Sequence, residues 1–108
     1  MEIPLGYALS WLAERDPDRP AVICEERTLT RVELDRLANR TARAYAELGV
    51  ATDDIVAVMA PNGIEFYVAA LATWKLGAIP MPVSHRLPDA ELAPILALSE
   101  FEKIALFT

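Results

Sequence analysis

Residues Asp53–Val83 read DDIVAVMAPNGIEFYVAALATWKLGAIPMPV. Ile55 to Ala60 is a short, unbroken apolar run with β-branched residues, the pattern of a strand covered on both faces. It stops at Pro61-Asn62-Gly63. Asn62 followed three residues later by Glu65 reads as a capping box opening a helix through Leu76. That helix is apolar almost all the way round and is therefore expected to lie sandwiched between other elements. Gly77 stops it, and Ile79 to Val83 returns as an extended segment. A strand, a helix and a returning extension make a crossover unit with parallel strands. The returning run raises a difficulty, because Pro80 and Pro82 have no N–H to give to a sheet ladder.

Upstream, the pattern extends outward in the same alternating way. Leu5, Leu9, Trp11 and Leu12 predict a first helix, ended by RDPDRP, where Pro17 and Pro20 forbid continuation. Ala21–Cys24 and Thr28–Thr30, joined by Glu25-Glu26-Arg27, predict a hairpin. Thr30 with Glu33 is a capping box, and Leu34, Leu37, Ala38, Thr41, Tyr45 and Leu48 follow at helical spacing up to Gly49. Downstream, a helix over 88–98 and an extension over 104–107 repeat the alternation. The fold class is α/β, a three-layer, Rossmann-like arrangement of helices on a mostly parallel sheet, in one unit over 1–108 with no internal boundary.

Composition narrows the function. Ten basic residues against sixteen acidic give a net charge of −6, which argues against nucleic acid as a partner. Hydrophobic residues make up 54% of 108, so a small chain has much to bury. The N-terminus lacks the basic and apolar regions of a signal peptide, and no run reaches the ~18 apolar residues of a membrane span. The single cysteine, Cys24, forms no internal disulfide and lies in the apolar run AVIC, as a structural thiol does. These features fit a cytoplasmic protein.

Single residues name no chemistry. Asp53 and Asp54 read as a charged turn before a strand, and Glu100 and Glu102 likewise. His85 has no serine, cysteine or acidic partner at a catalytic spacing. Arg36, Arg40 and Arg43 share a helix face with Glu33 and Glu47 nearby, the mixture of a solvated face. The turn at 61–63 has one glycine and neither a Lys-Ser/Thr pair nor the G-x-G-x-x-G spacing, so it is no phosphate loop.

The order of motifs says more. L-T-x-x-E-L at Leu29–Leu34, DDIVAVMAPNGIEF at Asp53–Phe66, KLGAIPMPV at Lys75–Val83 and RLPDAEL at Arg86–Leu92 resemble the N-terminal part of the adenylate-forming superfamily. That superfamily includes acyl-CoA and aryl-CoA ligases, luciferases and peptide-synthetase adenylation domains. The resemblance implies a two-step reaction: ATP and a carboxylic acid give an acyl-adenylate and pyrophosphate, and a thiol, commonly that of CoA, then takes the acyl group. It implies ATP, Mg and CoA as cofactors of the complete enzyme, with the core sites beyond Thr108, no catalytic residue in 1–108, and no activity of this segment alone. Arg86 matches an arginine that in some CoA ligases lies near the phosphates of CoA, and the alternative is an arginine holding its own loop. VSHRLPDAEL resembles CoA ligases for fatty, aryl or steroid-type acids more than peptide synthetases. Pro80 departs from the family's apolar residue, which points to an edge or bulged strand, and Ser84-His85 stand where many relatives have Asn-Pro. The expected partners are the remainder of the ligase chain and a small carboxylic acid. A segment of this kind is expected to expose an apolar face and to self-associate. The alternative of a different class is a stand-alone α/β interaction module.

Overall fold

The computed structural model describes residues 3–60, 63–83 and 90. A 3-10 turn at Leu5–Tyr7 leads into helix α1 (Ala8–Arg15), hairpin strands β1 (Pro20–Cys24) and β2 (Arg27–Thr30), helix α2 (Arg31–Glu47), strand β3 (Ile55–Val58), helix α3 (Ile64–Lys75) and strand β4 (Ile79–Pro82). The class is α/β, as the alternating periods predict. The described strands form two separate pairs: β1 and β2 are antiparallel, and β3 and β4 are parallel. The expected helix over 88–98 and extension over 104–107 lie outside the described residues, Ala90 apart.

Helix α2 is built by local rules. The Thr30 hydroxyl accepts from the Glu33 N–H at 3.3 Å, while the Glu33 carboxylate accepts from the Thr30 N–H at 3.0 Å. This reciprocal cap satisfies two of the free donors at a helix start. At the other end Gly49 takes φ 98°, its N–H donates to Ala46 O, and the Val50 N–H donates to Tyr45 O. Those two bonds close a Schellman motif, for which glycine is suited because it lacks a Cβ. Gly77 closes α3 in the same way at φ 73°, with Gly77 N–H to Trp74 O and Ala78 N–H to Thr73 O.

The start of α3 differs from expectation. Its cap is Gly63, which makes no side-chain cap bond, so Glu65 is the second helical residue and no capping box forms from Gly63. Asn62 itself lies outside the described residues. The helix is sandwiched, as its composition predicts. Phe66 and Ala69 pack with Val56, Val58 and Ala78 against the parallel pair, whereas Val68 and Ala72 meet α2. Val56, Ala57 and Val58 are wholly buried, and each valine contributes about 2 kcal/mol by leaving water. Thr73, also wholly buried, donates its hydroxyl to Ala69 O at 2.8 Å and leaves no polar atom stranded.

The two prolines of β4 fit because of where their nitrogens point. The Ile79 N–H donates to Asp54 O at 2.8 Å and the Val83 N–H to Val58 O at 2.9 Å. Alternate residues of a strand address opposite neighbours, so 79, 81 and 83 face β3 while 80 and 82 face away. The ladder thus loses no bond to either proline, although both have a Cα partner on β3. Pro82 is the last residue of the paired register, opposite Val58.

Candidate functional site

Parallel strands end together, and in open α/β sheets ligands gather beyond those carboxyl ends. Here the edge is formed by Val58 at the end of β3 with Met59 and Ala60 after it, and by Pro82 at the end of β4 with Val83 after it, locked by the Val83–Val58 bond. The segments leaving it, 61–62 and 84–89, lie outside the described residues. Arg86, the residue matched to a CoA-phosphate contact, and His85 are in the second of these segments, and Glu100 and Glu102 also lie outside the described residues.

The hairpin tip comes to the start of α3, beside the same edge. Arg27 Nη1 lies 3.3 Å from Glu65 Oε1, and both side chains are mostly exposed. Between tip and helix is an open cleft of about 530 Å³ lined by Cys24, Glu25, Glu26, Arg27, Gly63 and Glu65, among others. Glu65 sits in the first turn of α3, where its charge already answers the positive end of the helix. Three carboxylates in the lining make this cleft a poor cradle for phosphate.

The residues weighed in the sequence take structural places. The Asp54 carboxylate accepts from the Ala51 N–H at 2.8 Å, and the Asp53 N–H donates to Gly77 O at 2.9 Å with Asp53 at φ 69°. The pair is a turn that ties the β3 entry to the end of α3. Cys24 is half-buried against the cluster of Leu9, Leu34 and Ala38. Arg36, Arg40 and Arg43 are exposed. Among the described residues no group of three or more His, Cys, Asp or Glu is placed to hold a metal ion. No helix among them is long and apolar enough to cross a membrane. The protonation shifts belong to packing and caps: a hydrogen bond to Glu14 raises Tyr7, the Thr30 N–H lowers Glu33, and burial raises Tyr45.

One cluster escaped the sequence reading. Lys75 Nζ donates to Asp35 Oδ1 at 2.7 Å and to Ser10 Oγ at 3.0 Å, and Ser10 Oγ donates to Asp35 Oδ1 at 2.7 Å. This closed triangle joins α1, α2 and the last turn of α3, immediately before the turn into β4. Its one sequence signal is a lysine ending an otherwise apolar helix.

The chain matches the family model of the AMP-binding enzyme over residues 9–105, and it belongs to that family. It is similar to tyrocidine synthase 1 of Brevibacillus parabrevis, with 43% identity over 88 residues, covering 82% of this chain and 8% of that protein. It is also similar to the fatty acid–[acyl-carrier-protein] ligase ScoC of Streptomyces coeruleorubidus, at 38% identity over 85% of this chain and 18% of that one. Among solved structures, the N-terminal domain of FACL13 from Mycobacterium tuberculosis superposes with a TM-score of 0.88 at 30% identity, covering 97% of this chain and 27% of that one. The chain therefore spans less than a fifth of the length of these two curated relatives.

Proposed function

We propose that this chain is the front part of an ATP-dependent ligase that activates a carboxylic acid and passes it to a thiol. The carboxylate oxygen attacks the α-phosphorus of ATP and pyrophosphate leaves. The thiolate then attacks the acyl carbon and AMP leaves, so that each step expels a group better than the hydroxide of the free acid. The observation that carries the reading is the family match over residues 9–105, nearly the whole chain. Residues 1–108 serve as scaffold for the edge beyond β3 and β4. ATP, Mg and the acyl site are assigned to polypeptide beyond Thr108. An open groove of about 570 Å³ between β1 and the helices, with Ile23 71% and Tyr67 50% exposed beside it, supports the packing of further chain here. The test is acid- and ATP-dependent pyrophosphate release: the complete protein gives it and residues 1–108 alone do not. Release by the short chain would overturn the assignment of catalysis to polypeptide beyond Thr108, and none by the complete protein with any acid tried would favour the interaction-module alternative.

Two acceptor thiols are in play. VSHRLPDAEL favours CoA, and with it a role for the Arg86 guanidinium at a CoA phosphate. ScoC, named for an acyl-carrier-protein acceptor, favours a protein-borne thiol. Single-turnover transfer from the preformed adenylate to CoA or to a carrier protein separates them. If CoA is the acceptor, Arg86→Ala raises the apparent KM for CoA and leaves adenylate formation unchanged.

A further inference from the structure

We infer that Pro80 and Pro82 hold the outer edge of β4 closed to strand addition by another polypeptide, a second copy of this chain included. In a parallel ladder each residue directs its N–H and its C=O to the same side. Ile79 and Val83 spend theirs on β3, so among the described strands the outer edge of the pair belongs to residues 80 and 82. Both are proline. That edge therefore offers two carbonyls and no donor, and an incoming strand forms at most half of a ladder there while its own facing carbonyls lose water without gaining a partner.

The protection matters because the strand is otherwise well suited to pairing. IPMP carries no charge, its Ile79 side chain is 52% exposed, and Pro82 is exposed too. The two strands of the pair are not equivalent, since Val56, Ala57 and Val58 of β3 are wholly buried. Proteins commonly guard such an edge with a lysine, a bulge or a proline. This one has no charge in β4 and uses proline at both outward positions.

The test restores the donors. Pro80→Val with Pro82→Val gives the outer edge two N–H groups, and sedimentation velocity over a concentration series reads the result. The expected outcome is self-association at about tenfold lower concentration than the parent protein, reversed when Ile79→Lys places a charge on the same edge. A folded double variant with the parent's concentration dependence overturns the inference, as does association that Ile79→Lys leaves unchanged. If the double variant does not fold, Pro80→Val alone adds one outward donor and is judged by the same two outcomes.

Discussion

Lys75 Nζ lies 2.7 Å from Asp35 Oδ1, with the lysine and aspartate side chains only 10% and 16% exposed. The pair joins the end of α3 to the first turns of α2, and Ser10 closes it from α1. Burial sets its worth. The exposed Arg27–Glu65 pair contributes under about 1 kcal/mol, since water and salt screen it. A buried charge deprived of its partner has no such relief.

Lys75→Met keeps the aliphatic stem but leaves the Asp35 carboxylate with Ser10 alone. We expect a loss of about 3 kcal/mol in urea unfolding, nearly independent of salt. Adding Asp35→Leu should recover part of that loss, because the stranded charge is gone. Additive effects in this double-mutant cycle would contradict the pairing.

Gly6 packs against the same end of α3 from the other side. A Cβ built there would strike the Trp74 carbonyl oxygen, and it would stand 3.0 Å from Trp74 C and 3.2 Å from Lys75 Cα. All three are backbone atoms, and the carbonyl also accepts the Gly77 N–H at 3.0 Å, so nothing nearby can swing aside. Gly6→Ala is expected to cost about 3 kcal/mol by overpacking. Gly49→Ala, strained only by its φ of 98°, should cost about 1 kcal/mol. Thermal unfolding of both variants checks the order, and a milder effect at Gly6 would remove the close-approach argument.

How much of this was legible depended on the range of the interaction. Helix α2 was readable from end to end because Thr30, Glu33 and Gly49 act within one turn of where they stand. The strand–helix–strand unit was readable from the apolar run at 55–60 and the stop at Gly77. The side of the sheet that Pro80 faces was not, since it depends on which neighbour Ile79 bonds. The Ser10–Asp35–Lys75 triangle spans 65 residues and left only one out-of-place lysine as a trace. The placing of α3's cap at Gly63 rather than Asn62 shows the usual weakness of boundary reading where two residues in a row can cap. The candidate edge followed from the parallel topology, whereas Arg86 came only from resemblance.

The reciprocal cap of α2 makes a pH-dependent prediction. The Thr30 N–H, and then its hydroxyl contact, favour the ionised Glu33 and lower its pKa in the folded state. A lowered folded pKa means stability that is present above the ordinary glutamate range and lost as pH falls through the folded value. Thr30→Ala should cost about 1 kcal/mol at neutral pH. Glu33→Gln should flatten part of the decline in stability between about pH 5 and pH 3. Equal acid sensitivity in the parent and in Glu33→Gln would exclude the cap as a contributor.

Tyr45 offers the opposite sign at the alkaline end. It is 4% exposed beside Ala42 and Ala72, and burial pushes its hydroxyl up to about 12. In the unfolded chain the phenol ionises near ~10. A raised folded value means that its contribution is complete below the unfolded pKa and is lost as pH rises toward the folded one. Ultraviolet absorbance should therefore show a phenolate step near 12 that is absent in Tyr45→Phe, and the parent should lose stability between ~10 and ~12 more steeply than the variant. If Tyr45→Phe retains the late step, the high value belongs to another tyrosine, and the packing of α2 against α3 is looser at Tyr45 than its burial indicates.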